Sequence, residues 1–150
     1  MTETTETIKI YFDGASKSNP GLAGAGCWIE QGTTSYGKYK FLGTQTNNEA
    51  EYNALILGLS KHKIHKEQVI IVYGDSKLVI EQMKGNWKVK AENLKPLWKE
   101  AQELIKDLKI QFVHIDRSLN SKADKLANIA VITESFANDI TVNDLNNFKV

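Results

Sequence analysis

Residues Thr7–Gly26 read TIKIYFDGASKSNPGLAGAG. Ile8, Ile10 and Phe12 alternate with Lys9 and Tyr11, the period of two expected of a strand. An acid, Asp13, stands where that strand is expected to stop. Gly14, Asn19, Pro20 and Gly21 follow, residues that tolerate turn geometry, and Gly24 and Gly26 open a second strand. A carboxylate at the end of a buried strand is costly unless something charged meets it. Asp13 is therefore the candidate centre of the chain, with later acids brought to it.

At 150 residues the chain has the length of one domain, 1–150, with a real core. Apolar and charged fractions are ordinary for a globular protein. The single Cys27 excludes an internal disulfide framework and a multi-cysteine zinc site, and it fits a reducing, cytoplasmic setting. The first residues, MTETTETIK, have neither a basic nor an apolar region, so no signal peptide is expected. No run has the length of a membrane span, and no membrane partner is expected. A net charge of +1 does not announce nucleic-acid binding, which must rest on local charge. Nothing calls for an oligomer, and a monomer is expected.

Residues 1–6 are polar and expected to fray. Strands are expected at about Ile8–Asp13, Ala25–Glu30 and Tyr36–Leu42, an antiparallel meander with a polar turn at Gln31–Ser35. A helix follows from about Asn47 to Lys61. Strand four is Val69–Gly74, apolar, β-branched and expected to be buried on both faces. A short helix covers Ser76–Lys84. A third helix runs from about Leu94 to Leu108 with Pro96 in its first turn. Strand five is Ile110–Ile115 and a last helix spans about Lys122–Ile132. The tail, 133–150, either packs through Phe136, Ile140, Val142 and Phe148 or stays loose. This order implies an α/β fold with a mixed five-stranded sheet and helices on both faces. The meander supplies strands 1-2-3, and strands 4 and 5 run parallel, with strand four beside strand one. Asp13 and Asp75 then end neighbouring parallel strands at the edge where open α/β sheets bind ligands.

Each of four acids has an ordinary explanation as well. Asp13-Gly14 reads as a turn. Asp75 reads as a helix N-cap. Asp124 completes a capping box with Ser121. Glu51 is harder to dismiss, although a helix start favours acids. It shares a helical face with Ala54, Leu55, Gly58 and Leu59, the stripe expected to face the sheet, whereas Glu49 lies off that stripe and in solvent. The topology puts all four carboxylates at one edge. They cannot all stay ionised side by side without cations. Oxygen-only ligands point to Mg²⁺, with Mn²⁺ as a substitute, and two such ions suit displacement at a phosphodiester.

YFDGASKSNPGLAGAG, TNNEAEYNALILGL, VYGDSKLVIEQ and FVHIDRSLNSKADKLANIA resemble the four signature segments of type 1 ribonuclease H, in order and spacing, across most of residues 8–132. The resemblance implies a ribonuclease H-like fold and a metal-dependent endonuclease that cuts the RNA strand of RNA/DNA hybrids with two Mg²⁺ ions. It places Asp13, Glu51, Asp75 and Asp124 as metal ligands and catalytic residues. It implies hybrid contacts at Gly14, Asn19, Thr46, Asn47, Asn48, Ser76 and Lys77. Neutral amides and hydroxyls suit phosphate and 2′-OH groups, though Asn47 and Asn48 also suit helix capping.

The chain departs from the family's pattern twice. A histidine of some members stands shortly before the last acid. His114 lies in an apolar strand and reads as structural, leaving Arg117 as the auxiliary residue. A basic "handle" helix of many bacterial members is replaced by a short connector. From Lys84 to Lys99 there are five Lys and one Glu, a local net of +4. Lys88 and Lys90 can track phosphates and Trp87 can stack on a sugar or base, unless this is an ordinary solvated loop. Trp28 and Trp98 are expected in the core. Rival readings are a nuclease of the same fold with broader substrates, such as duplex RNA, and a non-catalytic hybrid-binding module.

Overall fold

The computed structural model describes residues 7–60 and 67–149. The expectation for residues 1–6, and that of a helix reaching Lys61, fall outside the described residues. The strands are β1 (Ile8–Ser16), β2 (Gly21–Gln31), β3 (Thr34–Gln45), β4 (Val69–Gly74), β5 (Lys109–His114) and β6 (Phe136–Ile140). The helices are α1 (Asn47–Leu59), α2 (Lys77–Lys84), α3 (Lys95–Ile105), α4 (Ser121–Thr133) and α5 (Val142–Asn147).

The sheet order is β5-β4-β1-β2-β3-β6. The β1-β2-β3 meander is antiparallel, while β4 pairs parallel with both β1 and β5. The expected placement of strand four beside strand one holds. The sheet has six strands rather than five, because the tail adds β6 antiparallel to β3. An edge strand offers a row of unpaired N–H and C=O groups, and β3 uses them to capture a segment whose own pattern is weak. The tail thus packs, through two of the four residues expected. Ile140 and Phe148 sit against Trp28, Tyr39 and Leu126, Leu145 is buried, and Phe136 and Val142 remain 70% and 40% exposed.

Two apolar layers sandwich the meander. Ile8, Ile10 and Phe12 point to one face, with Ala25, Cys27, Ile29, Ile70 and Val72, and meet Tyr52 and Leu55 of α1. Each such fully buried side chain contributes about 2 kcal/mol through removal from water. The other face is covered by α4, whose Leu126, Ile129 and Ala130 pack on Trp28 and Tyr39. Because α4 covers β1, β2 and β3 but not β4, strand four is buried on one face only. Val69 is exposed and Ile71 and Tyr73 are half-buried, contrary to the reading of its apolar run. Tyr73 instead stacks on Tyr11, centroids 4.7 Å apart. Trp28 is buried in the core as expected, whereas Trp98 is half-buried and packs against the core from its rim. α1 is buried nearly all round, with the sheet on one side and α3 on the other. Its C-terminal carbonyls are met by the buried Lys38, whose Nζ donates to Ser60 O at 2.9 Å.

Candidate active site

Asp13 does not end its strand. β1 runs three residues further and pairs with β2 up to Ser16↔Ala23. What ends at Asp13 is the parallel ladder with β4, whose last pair is Phe12↔Gly74. Asp13 and Asp75 therefore leave that ladder at adjacent points. The Asp-Gly turn is excluded, and the chain bends instead over Lys17–Pro20, closed by a Lys17 N–H to Leu22 O bond of 2.8 Å.

Glu51 reaches the same point because Gly14 has no side chain. A Cβ at Gly14 would lie 2.3 Å from the Ala50 carbonyl carbon and 2.4 Å from Glu51 N. The strand thus touches the helix backbone, and the Gly14 N–H donates to Glu51 Oε1 at 3.2 Å. On the other face, a Cβ at Gly26 would lie 2.4 Å from both Ala123 O and Ala127 N, so α4 lies directly on β2 and carries Asp124 in. Gly14, expected as a nucleic-acid contact, is placed by packing as the seat of α1.

Oxygens of Asp13, Glu51 and Asp75 lie within 4.8 Å of one another. Asp124 stands outside that trio but hydrogen-bonds the Asp13 carboxyl, which also bonds Glu51. Asp13 is thus the member shared between a three-acid group and a two-acid pair. Burial, then the charge of Asp75 and the bond to Asp124, push Asp13 up to about 8. Burial, then Asp13 and Asp75, hold Glu51 well above the carboxylate range. Asp75 is raised by burial, against the opposing pull of an Asn120 hydrogen bond, Arg117 and His114. A cluster that resists ionisation in the bare chain, offering only oxygen, is a fitting seat for hard divalent cations.

The ordinary explanations fail for Asp75 and Asp124. The N-cap of α2 is Ser76, whose hydroxyl accepts from Val79 N at 3.3 Å, leaving the Asp75 carboxylate free of that task. The first turn of α4 has no capping box. Its N-cap is Asn120, which makes no side-chain cap bond. The Asn120 amide is engaged elsewhere, donating to Phe12 O at 2.8 Å and bonding Asp75, while its backbone carbonyl accepts from Asp124 N at 3.0 Å. This 1%-exposed residue ties the ends of β1, β4 and α4 together. Sequence reasoning missed it by assigning the helix start to Ser121. Four residues before an acid, a lone Asn was the available signal.

A cavity of about 620 Å³ holds the four acids with Gly14, Asn47, His114 and Arg117. His114 is exposed at the end of β5 and faces the carboxylates, which corrects its structural assignment. Its strand is only six residues long, so its last side chain clears the core. Arg117 lies there as expected. Asn19 Oδ1 accepts from Asn47 N–H at 2.9 Å and pins the Asn-Pro-Gly bend to the start of α1. Capping falls to neither Asn47 nor Asn48. Thr46 and Glu49 form a reciprocal capping box, so Glu49 is a cap rather than a solvated bystander. Asn48 and Lys77 are exposed. Trp87 and Lys88 do not join the carboxylates. They line a separate cavity of about 450 Å³ with Val89 and Trp98, and Lys90 is exposed beside it. No helix stands between α2 and α3 among the described residues.

The chain resembles several known proteins. A family model described as "Reverse transcriptase-like" matches residues 11–130. The "Bifunctional protein Rv2228c" of Mycobacterium tuberculosis is 41% identical over 128 residues, covering 83% of this chain and 35% of that protein. A "Ribonuclease HI" of Halobacterium salinarum is 36% identical over 129 residues, covering 83% of this chain and 64% of that protein. The chain thus spans about a third of the length of the first of these relatives and under two thirds of the second. A solved structure of LC11-RNase H1 in complex with an RNA/DNA hybrid superposes with a TM-score of 0.78 at 34% identity, covering 85% of this chain and 98% of that one. With its family model matched from Tyr11 to Ala130, the chain belongs to the reverse transcriptase-like family, within the ribonuclease H-like superfamily.

Proposed function

We propose that this chain is a metal-dependent endoribonuclease that hydrolyses the RNA strand of RNA/DNA hybrids, leaving 5′-phosphate and 3′-hydroxyl ends. The observation that carries the proposal is the convergence of Asp13, Glu51 and Asp75, with Asp124 bonded to Asp13, in one open cavity. The relatives named as ribonucleases H and the hybrid-bound neighbour support the substrate class. Two Mg²⁺ ions suit the donor set, with Mn²⁺ as an alternative: Asp13, Glu51 and Asp75 would hold one, and Asp124 with Asp13 would hold the other. When bound, such ions make water a nucleophile at neutral pH and stabilise the leaving 3′ oxygen.

The chain's own residues do the rest. Asn120 and the Gly14 N–H orient Asp75 and Glu51 so that their oxygens face Asp13. Arg117 supplies positive charge on the Asp75 side, where phosphate oxygens would lie, and His114 lines the cavity with it. Asn47 lines the cavity, and with it Asn19, which accepts from its N–H, Thr46, Asn48, Ser76 and Lys77 are candidate contacts to hybrid backbone and 2′-OH groups. Trp87, Lys88 and Lys90 form a second, more distant contact.

A panel of end-labelled RNA/DNA, RNA/RNA and DNA/DNA duplexes with Mg²⁺ tests the proposal. The expected result is cleavage confined to the RNA strand of the hybrid. Cutting of duplex RNA at a similar rate would favour the broader nuclease, and no metal-dependent cutting at all would leave a binding module. For the second contact, Lys88→Ala or Lys90→Ala should raise KM about 3- to 10-fold with kcat nearly intact, and should flatten the salt dependence of KM. An unchanged KM would return the loop to ordinary solvent-exposed surface.

A further inference from the structure

The connector after α2 is tied to α1 by one buried pair. Tyr52 is fully buried and Gln82 is 4% exposed. The Tyr52 hydroxyl donates to Gln82 Oε1 at 2.6 Å. The other end of that amide, Nε2, donates to the backbone carbonyl of Lys88 at 3.3 Å. The Gln82 carbonyl in turn accepts from the Trp98 indole Nε1 at 3.3 Å and from Gly85 N at 3.1 Å. One residue therefore joins α1, the connector and α3. The orientation of the amide is dictated by chemistry. A carbonyl can only accept, so Nε2 must face Lys88, and the hydroxyl, which can donate, takes Oε1. A buried glutamine is tolerated because both ends of its amide are satisfied.

We propose that Tyr52 and Gln82 are positioning residues for nucleic-acid binding. They hold the Lys88 peptide in place, so that the 45%-exposed Trp87 ring and the Lys88 ammonium are ordered before the hybrid arrives. Ordering a loop in advance removes that cost from the binding step. Tyr52 follows Glu51 on α1, but successive helical residues point in different directions, so Tyr52 serves the connector while Glu51 serves the carboxylates. The inference rests on the proposed reading of the connector as a hybrid contact.

The test uses the full chain with Tyr52→Phe and Gln82→Met. Both are expected to raise KM for the hybrid about five-fold with kcat within about two-fold of the parent. Amide exchange at Asn86 and Trp87, which donate to Glu81 O at 3.0 and 3.3 Å, should accelerate in the free protein, while α1 keeps its protection. Tyr52→Phe removes only an oxygen and carries the test if Gln82→Met is poorly folded. If Tyr52→Phe leaves KM and exchange unchanged while Lys88→Ala raises KM, the pair is structural and the connector contact survives. If neither Tyr52→Phe nor Lys88→Ala moves KM, the connector does not meet substrate, and this inference falls with that part of the reading. A loss of kcat at constant KM in Tyr52→Phe would place its effect on Glu51 and overturn the inference as well.

Discussion

Asp13→Asn is expected to abolish metal-dependent hydrolysis, by at least on the order of 10³-fold, and yet to raise the melting temperature of the metal-free protein. The two effects share one cause. Asp13 is 5% exposed, faces Asp75 and lies hydrogen-bonded between Glu51 and Asp124. The proposed activity needs the carboxylate that both halves of the site share. The bare fold would be relieved of it. Because burial and its neighbours raise Asp13 from 3.8 to about 8, the folded chain binds that proton more tightly than the unfolded chain does. The group's contribution to stability is therefore present at low pH and is lost as pH rises from about 4 through about 8. In chelator, the parent should lose on the order of 3 kcal/mol between pH 5 and pH 8, a fall of about 8 °C in Tm. Asp13→Asn should show a clearly smaller fall and melt several degrees above the parent at pH 8. Added Mg²⁺ should restore the parent and leave the variant unmoved. Calorimetry across pH with and without chelator reads all three. A variant melting well below the parent at pH 8 would show that Asp13 supports the fold and that no charge is stored there.

Gly14→Ala is expected to be among the most damaging single changes in the chain, although it adds one methyl group. The new Cβ would meet the backbone of α1 at 2.3–2.6 Å, where no side-chain rotation can help. The helix would have to back away from the strand by roughly 1 Å, at a cost of about 3–4 kcal/mol. Glu51 would move with it and lose the bond from the residue-14 N–H, so kcat should fall on the order of 10²-fold in protein that still folds. Gly26→Ala poses the same problem for α4 and Asp124, with backbone atoms of Ala123 and Ala127 at 2.4 Å. Urea unfolding and single-turnover kinetics of the two variants would measure it. Parent-like stability and rate in Gly14→Ala would mean that the contact between β1 and α1 does not place Glu51.

Local pattern revealed most of the elements. Period two in Ile8–Phe12 and the apolar run of Val69–Gly74 are written in neighbouring residues, and the structure follows them, whereas the caps fall to Thr46 with Glu49 and to Ser76 rather than to Asn47, Asn48 or Asp75. β6 was not legible, since FANDI has no alternation and Asp139 takes a positive φ of 60°. It becomes a strand only because β3 presents an open edge. His114 was misread for a related reason. A short apolar strand looks buried throughout, and only the sheet shows where its last residue emerges.

The four acids and the order of strands and helices from β1 to α4 were determined by the sequence alone, because residue type and periodicity are local properties. Which ordinary explanation each acid escapes was decided by tertiary structure. Ser76 takes the α2 cap, releasing Asp75, and Asn120 binds Phe12 and Asp75 instead of capping α4. Of the glycines of Thr7–Gly26, Gly14, Gly24 and Gly26 proved to be contact points where two helices press on the sheet from opposite faces. Nothing in a linear sequence tells a glycine that bends a chain from one that lets another chain segment come near. Only the packed structure does, because the missing atom matters solely for what occupies its space.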